Sequence, residues 1–412
     1  MHLLFITREP HPSFRPDITI LFGKYLPRLG VTSDLVAQQL TGETAVWGGG
    51  RALAGRRWQS RALNVTAAFI HVLRVFARGR GGYDAILVRD NPMVALVGLL
   101  VARRWNVPLF YWMSFPIVEG FLELAKQGPG TLGWARYLFA LLKGHVGHLI
   151  YYGVVAPHAG HIFVQSEQMK RDMVAKGIPP QAMTPVPMGV DIEAADPLCI
   201  APSDDPRLAG QRVVVYLGSL DKVRQIDLLI EMLALAVRRQ PDLLLVLVGD
   251  AVEAMERRRL QDLAVQMQVA DRILWTGWLP TQEAWRYVRA AEVGMSAIPR
   301  GPLYDCASPT KVAEYLALGV PVLANDLPDQ AWLLKHSAGG VSVPFTAEAL
   351  ADALLTMLAD PEKLHHMGRQ GQAFVVVQRS YASLATTLAA RLGDLVGGGP
   401  AALSSNAKGA PT

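Results

Sequence analysis

Cysteine is scarce in this chain of 412 residues: Cys199 and Cys306 stand far apart and share no metal-ligand spacing, so a cysteine metal centre is excluded. No basic segment, apolar core and cleavage site precede the first strand pattern. Both features fit a reducing cytoplasm. Long apolar runs are also missing, since no stretch reaches the roughly 18–20 uninterrupted apolar residues that a spanning helix needs. The nearest, residues 138–155, is broken by Lys143, His145 and His148 and reads instead as a segment lying in an interface. Acidic residues are few in the first half, where residues 1–200 hold 20 Lys and Arg against 13 Asp and Glu. The basic excess gathers at Arg51, Arg56, Arg57, Arg61, Arg74, Arg78 and Arg80, around Trp58. No nucleic-acid motif accompanies it, which points away from nucleic acid and toward an anionic membrane surface. No Asp-x-Asp-like or His cluster offers itself to a metal.

What is present is apolar and α/β in pattern. A hydrophobic content of 51% excludes a disordered chain, and the length calls for two or three domains. Strand patterns at Leu3 to Thr7, Ala85 to Val88, Val107 to Trp112 and His161 to Val164 alternate with helical ones, the first helix running from about Pro16 to Leu29. In open α/β sheets ligands bind beyond the carboxyl ends of the strands. Arg8, Arg15, Arg89, Asp90, Ser114 and Glu119 fall on loops at those ends. The run Ala201 to Pro206, rich in Pro and Asp, reads as a linker. We therefore expect a first domain over 1–200, a linker over 201–210, a second domain over 211–370, a helix over 371–395 and a disordered Gly/Ala/Ser tail over 396–412.

The most informative stretch is Ser308-Pro309-Thr310-Lys311-Val312-Ala313-Glu314-Tyr315, which runs through Gly319 into the apolar segment Val320 to Ala324. It predicts a short helix with Ser308 as N-cap, Pro309 at the first helical position and Gly319 just past the end. Such a helix aims free N–H groups and its positive dipole end at an anion, a phosphate being the obvious guest. Glu314 lies deeper on the same wall, where a carboxylate can accept from ribose or sugar hydroxyls.

These residues, together with Val213 to Ile230, Leu245 to Asp250, Ile273 to Pro280, Phe163 to Lys170 and Pro187 to Asp191, resemble the retaining glycosyltransferases of family 4 over most of the chain. The resemblance implies a GT-B fold, with two Rossmann-like domains facing across a cleft and a last helix crossing back to the first. It implies a nucleoside-diphosphate sugar donor, UDP- or GDP-linked, no cofactor, no metal, and a glycan or lipid-linked acceptor. Polysaccharide-precursor synthesis on the cytoplasmic face of a membrane is the expected setting.

Carried over by position, Arg224 stands where the family has its pyrophosphate-binding lysine, and a guanidinium can grip phosphate bidentately. Lys222 assists. Gly218 and Gly277 let the nucleotide approach the backbone, and Trp278 flanks the base. Ser308, Pro309, Thr310 and Lys311 hold phosphate, and Glu314 matches the second Glu of the family's pair. Two departures stand out: Ser219 replaces a frequent Arg, and Cys306 replaces the first Glu, leaving Asp305 to reach for the donor sugar. The family's strand-end His has no counterpart in Tyr111 to Pro116. Arg8, Arg15, Arg89 and Asp90 are assigned to the acceptor side. Two rivals share the fold: a catalytically degenerate scaffold subunit, suggested by Cys306 and Ser219, and a sugar-nucleotide epimerase, which would need no acceptor.

Overall fold

Parallel strands account for both halves of the chain. The computed structural model describes residues 1–40, 45–56 and 61–397, and the side chains of Arg61 and Ala62 are left out of that description. Arg57, Trp58 and residues 398–412 of the expected tail lie outside the described residues. Two compact units emerge, Met1–Pro187 with the chain from Leu384 onward, and Met188–Ser383.

The first unit holds a sheet of β1 (His2–His11), β2 (Thr32–Gln39), β3 (Ala52–Arg56), β4 (Ala85–Arg89), β5 (Leu109–Met113), β6 (His161–Val164) and β7 (Met183–Pro185), in the order β3-β2-β1-β4-β5-β6-β7. The second holds β8 (Arg212–Leu217), β9 (Leu243–Val248), β10 (Ile273–Gly277), β11 (Val293–Ser296), β12 (Val322–Asn325) and β13 (Gly340–Val343), ordered β10-β9-β8-β11-β12-β13. Every ladder is parallel. Both orders reverse beside their first strand, the doubly wound arrangement that opens a crevice at the β1/β4 and β8/β11 edges. The central strands read as continuous apolar runs because helices cover both faces: β9, Leu-Leu-Leu-Val-Leu-Val, is wholly buried.

Several expected boundaries shift. Residues 188–200 belong to the second unit, since Val190, Ala195 and Ile200 are buried in one cluster with Val213 and Val215. The stretch expected as a linker is tied down too, with Leu208 buried and the Asp205 carboxylate accepting from the Arg207 side chain and the Tyr287 hydroxyl. The first helix is not α-helical over Pro16 to Leu29. Its Asp17–Tyr25 portion is a wide π-helix, closed where the Leu26 N–H reaches back to the Leu21 carbonyl, and only Leu26–Arg28 is α. The helical pattern expected to run unbroken toward residue 395 is two helices, Pro361–Gln378 and Tyr381–Gly397. They part at Arg379 and Ser380, where Val190 donates to the Arg379 carbonyl and Tyr381 donates to the Val190 carbonyl, both at 2.9 Å.

Candidate active site

The second unit's switch point is held open by a tyrosine. Tyr315, fully buried on the helix Thr310–Ala317, accepts from the Leu217 N–H at 2.7 Å and reaches the Met295 carbonyl at 3.3 Å, bridging the ends of β8 and β11. The same helix presents Lys311 and Glu314, both half-buried, to the space beyond β8. Amphipathic spacing explains this placement, because Val312, Ala313, Tyr315 and Leu316 point into the core and leave the intervening polar positions at the rim.

A cavity of about 230 Å³ opens there, lined by Gly218, Gly249, Trp278, Leu279, Trp285 and Glu314 among others. Its back wall depends on close backbone contact. Gly249 has φ +133°, and a Cβ on it would lie 2.1 Å from the Gly218 carbonyl oxygen. Trp278 is exposed at the mouth, whereas Trp285 is buried on the helix Thr281–Arg289.

Electrostatics set the rim apart. Burial, then the Arg224 charge, drives the Lys311 ammonium down to about pKa 7, with Glu314 opposing the shift. Burial pushes the Glu314 carboxyl up to about 7, with Lys311 holding it back. The Lys311 Nζ lies 3.9 Å from the centre of the Tyr216 ring, and a Cβ on Gly218 would stand 3.3 Å from that Nζ. A cation perturbed by burial and a like charge, beside a backbone glycine and an open cavity, is arranged to receive an anion.

The structure brings Gly218, Trp278 and Glu314 together in the cavity lining, with the Lys311 ammonium beside Gly218 and Arg224 close enough to act on its charge. Arg224 ends the short turn Lys222–Arg224, in which Lys222 is exposed. Ser219 offers its carbonyl to the Tyr216 hydroxyl at 3.2 Å. Gly277 closes the end of β10, its carbonyl accepting from the Gly249 N–H at 3.1 Å.

Ser308 is not the N-cap. Pro309 occupies that position with no side-chain cap bond, and Thr310 opens the helix, because the Ser308 hydroxyl is engaged elsewhere. Its Oγ accepts from the Met188 N–H at 2.9 Å and donates to Asp329 at 2.7 Å. Asp305 is held by Arg300, at 2.7 and 3.1 Å, and by the Gly301 N–H, and these partners keep its carboxyl below the usual range against the opposing effect of burial. The Cys306 side chain is buried with its Sγ 3.4 Å from the Leu303 carbonyl. Among the described residues no group of three or more His, Cys, Asp or Glu is placed to hold a metal ion.

In the first unit, Arg89 and Asp90 are buried at the end of β4. Arg89 pairs with Asp17 at 3.0 Å, Asp90 at 3.2 Å and Glu9 at 3.7 Å, while Asp90 accepts from the Ser114 and Phe115 N–H groups. Arg8 and Arg15 stay exposed, Arg15 lying 3.5 Å from Glu9.

Comparison with known proteins decides the family. Residues 203–374 match the model of the glycosyl transferases group 1, and residues 22–189 match the glycosyl transferase 4-like domain, so each unit carries its own match. The chain belongs to the group 1 glycosyl transferases. It is 30% identical over 246 residues to a GDP-mannose-dependent alpha-(1-6)-phosphatidylinositol monomannoside mannosyltransferase of Mycobacterium tuberculosis, covering 58% of this chain and 62% of that one. It is 24% identical over 309 residues to a D-inositol 3-phosphate glycosyltransferase of Nocardia farcinica, covering 73% and 65%. The match thus spans slightly less than two thirds of either relative. Among solved structures, Anabaena HepE in complex with UDP superposes with TM-score 0.69 at 16% identity, over 96% of this chain and 100% of that one. Sucrose-phosphate synthase from Thermosynechococcus elongatus gives 0.70 at 17%, over 97% and 100%. The fold is GT-B. In this group 1 glycosyl transferase, Gly249, Leu279, Thr281 and Trp285 join the cavity lining although no role for them was read from the sequence. The buried stripe Ala284, Trp285 and Val288 on the helix Thr281–Arg289 was the available signal for Trp285.

Proposed function

We propose that the chain is a retaining glycosyltransferase that moves a hexosyl group from a nucleoside-diphosphate sugar, UDP- or GDP-linked, to an acceptor hydroxyl. The observation that carries this reading is the placing of Lys311 and Glu314 one turn apart on the helix Thr310–Ala317, Glu314 lining the cavity beyond β8, β9 and β10 and Lys311 beside its Gly218 wall. There a shifted ammonium meets an anion while a carboxylate faces the nucleoside side of the same space. Arg224, with Lys222 beside it, and the N–H groups opening the helix at Thr310 stabilise the departing diphosphate as the bond from the sugar C1 breaks. The leaving phosphate oxygen takes the acceptor proton, and the acceptor oxygen bonds to C1 on the face the diphosphate leaves. These groups supply the charge neutralisation without a metal.

We assign acceptor recognition to the first unit, with Arg8 near the end of β1 and Arg15 after it as its exposed cations, and Arg89 and Asp90 as the buried pair beside them, Arg89 holding Glu9 and Asp17. The acceptor is a lipid-linked glycan or polysaccharide precursor, reached from the cytoplasmic side of an anionic membrane surface. The names of the mycobacterial and nocardial relatives, with phosphatidylinositol and inositol-phosphate acceptors, support a phosphate-bearing acceptor.

The burial of Cys306 and the engagement of Asp305 by Arg300 favour one rival, a subunit that binds the donor without transferring it. Calorimetry with UDP, GDP and their sugar conjugates, followed by NMR of the product's anomeric configuration, separates the readings. Binding with a product of retained configuration supports transfer. Binding with neither transfer nor donor hydrolysis leaves the binding subunit, and an altered sugar formed without acceptor indicates an epimerase.

A further inference from the structure

One helix in the first unit turns its apolar face outward. From Trp134 to His158 the chain is helical for 25 residues with mean hydropathy 1.3, yet only 22% of its apolar window is buried. The buried side follows one seam, Ala140, Gly144, Tyr151 and Val155, spaced by four, seven and four residues. This seam packs on the helix Ile117–Lys126, close enough that a Cβ on Gly144 would meet Leu122 at 2.5 Å and one on Gly147 would meet Val118 at 3.3 Å. At about 100° per residue, Leu142 and Leu149 lie about 180–200° from Ala140. They are 65% and 71% exposed, with Leu138, Phe139 and Val146 beside them. Arg136 and Lys143 flank that apolar arc on one side, and His145 and His148 flank it on the other.

Charge distinguishes this surface from a merely sticky one. Between Glu123 and Glu167 the sequence contains no acidic residue, while Lys126, Arg136 and Lys143 fall within that span. An apolar arc edged by cations on an acid-free segment matches an anionic bilayer, whose acyl boundary takes the apolar side chains and whose headgroups take the cations. Crossing the bilayer would instead strip Gly144 and Gly147 from their neighbours and carry Lys143, His145 and His148 into hydrocarbon.

We propose that the helix Trp134–Ile150 lies flat in the interface of an anionic bilayer, inserting Leu138, Leu142, Val146 and Leu149 and pairing Arg136 and Lys143 with headgroups. This deepens the proposed membrane setting and is independent of the transfer chemistry.

The test is flotation of the full chain with phosphatidylcholine vesicles carrying or lacking phosphatidylglycerol. Wild type floats with the anionic vesicles, and alkaline carbonate releases it. The double variant Leu142→Glu/Leu149→Glu loses at least tenfold in vesicle affinity even at low salt, whereas Arg136→Glu/Lys143→Glu loses the preference for anionic lipid. Leu198→Glu, on a still more exposed side chain in the other unit, changes nothing. Thermal melts and UDP or GDP titrations of each variant, expected to equal wild type, show that fold and donor site are intact and keep this inference separate from the donor assignment. Retention after carbonate would overturn the flat orientation. Unchanged flotation of the Leu142→Glu/Leu149→Glu variant, or a wild type that dimerises through this face and ignores anionic vesicles, would overturn the docking surface.

Discussion

The ammonium of Lys311 rests 3.9 Å from the centre of the Tyr216 ring, a cation held against an aromatic face at the end of β8. Packing against ring and backbone strips part of its water, and Arg224 adds a like charge, so the ammonium falls to about pKa 7 from its ordinary 10.5. The free protein at pH 8 therefore holds Lys311 mostly neutral.

Nucleotide affinity should fall as pH rises above 7. A bound diphosphate favours the protonated form of every group near it, raising the pKa of both Lys311 and Glu314, so binding takes up protons in the window above their free values of about 7. The terminal phosphate, with its last pKa at about 6, is already ionised in that window and does not mask the effect. Calorimetry in buffers of different ionisation enthalpy should show proton uptake at pH 8, with affinity dropping up to about tenfold per pH unit for each proton taken up. Lys311→Met should flatten the profile. A pH-independent affinity between 7.5 and 9 would contradict the placement of this cation.

Arg224 and Glu314 should fail differently. Arg224→Ala removes a charge that acts on both the bound diphosphate and the departing one, so kcat/KM should drop by about 100-fold or more, with weaker product binding as well. Glu314→Ala removes an acceptor for nucleoside or sugar hydroxyls and should act mainly on donor affinity. Steady-state kinetics with titration of the nucleoside diphosphate resolves the two. Identical changes in kcat and KM for both variants would merge roles that the site keeps apart.

Much of this was legible in the sequence because it rests on local pattern. The helix from Thr310, the Gly ending β8 and the apolar runs of β8, β9 and β12 are short-range features that propensity and spacing report. The π-helical turn at Asp17–Tyr25 was not legible, since propensity and apolar spacing over nine residues report a helix but not whether its bonds close at i−4 or i−5. Ser308 was misread for a related reason: Ser before Pro looks like a cap, and only residues far off in sequence, Met188, Asp329 and Arg379, reveal where its hydroxyl is used. The wrong unit boundary at 200 likewise reflects Val190 and Ile200 packing across a sequence gap that composition cannot see.

Gly249→Ala should damage the site through the backbone. Alanine at φ +133° is strained, at roughly 1–3 kcal/mol, and its Cβ would press on the Gly218 carbonyl from 2.1 Å. The melting temperature should fall, and nucleotide affinity should fall with it, because Gly218 and Gly249 line the same cavity. An unaltered affinity in a folded variant would show that the nucleotide does not lean on this wall.

Ser308 should prove to be a stabilising residue and not a phosphate ligand. Its Oγ lies at the centre of a buried set: the Met188 N–H donates to it, Arg379 Nη1 donates at 3.3 Å, and it donates to Asp329, which also takes the Arg379 Nη2 bond at 2.7 Å. Arg379 and Asp329 side chains are 5% and 9% exposed, so removing one partner leaves a charge with little water to replace it. Asp329→Ala should cost about 3–5 kcal/mol on that account. Ser308→Ala leaves the ion pair in place but strips the Met188 N–H of its acceptor, and should cost about 1–3 kcal/mol. Denaturant titration of both variants measures these losses, and nucleotide titration of folded Ser308→Ala decides the role. Stability should drop while affinity stays within about twofold of wild type; the reverse pattern, full stability with affinity lost, would return Ser308 to the phosphate site.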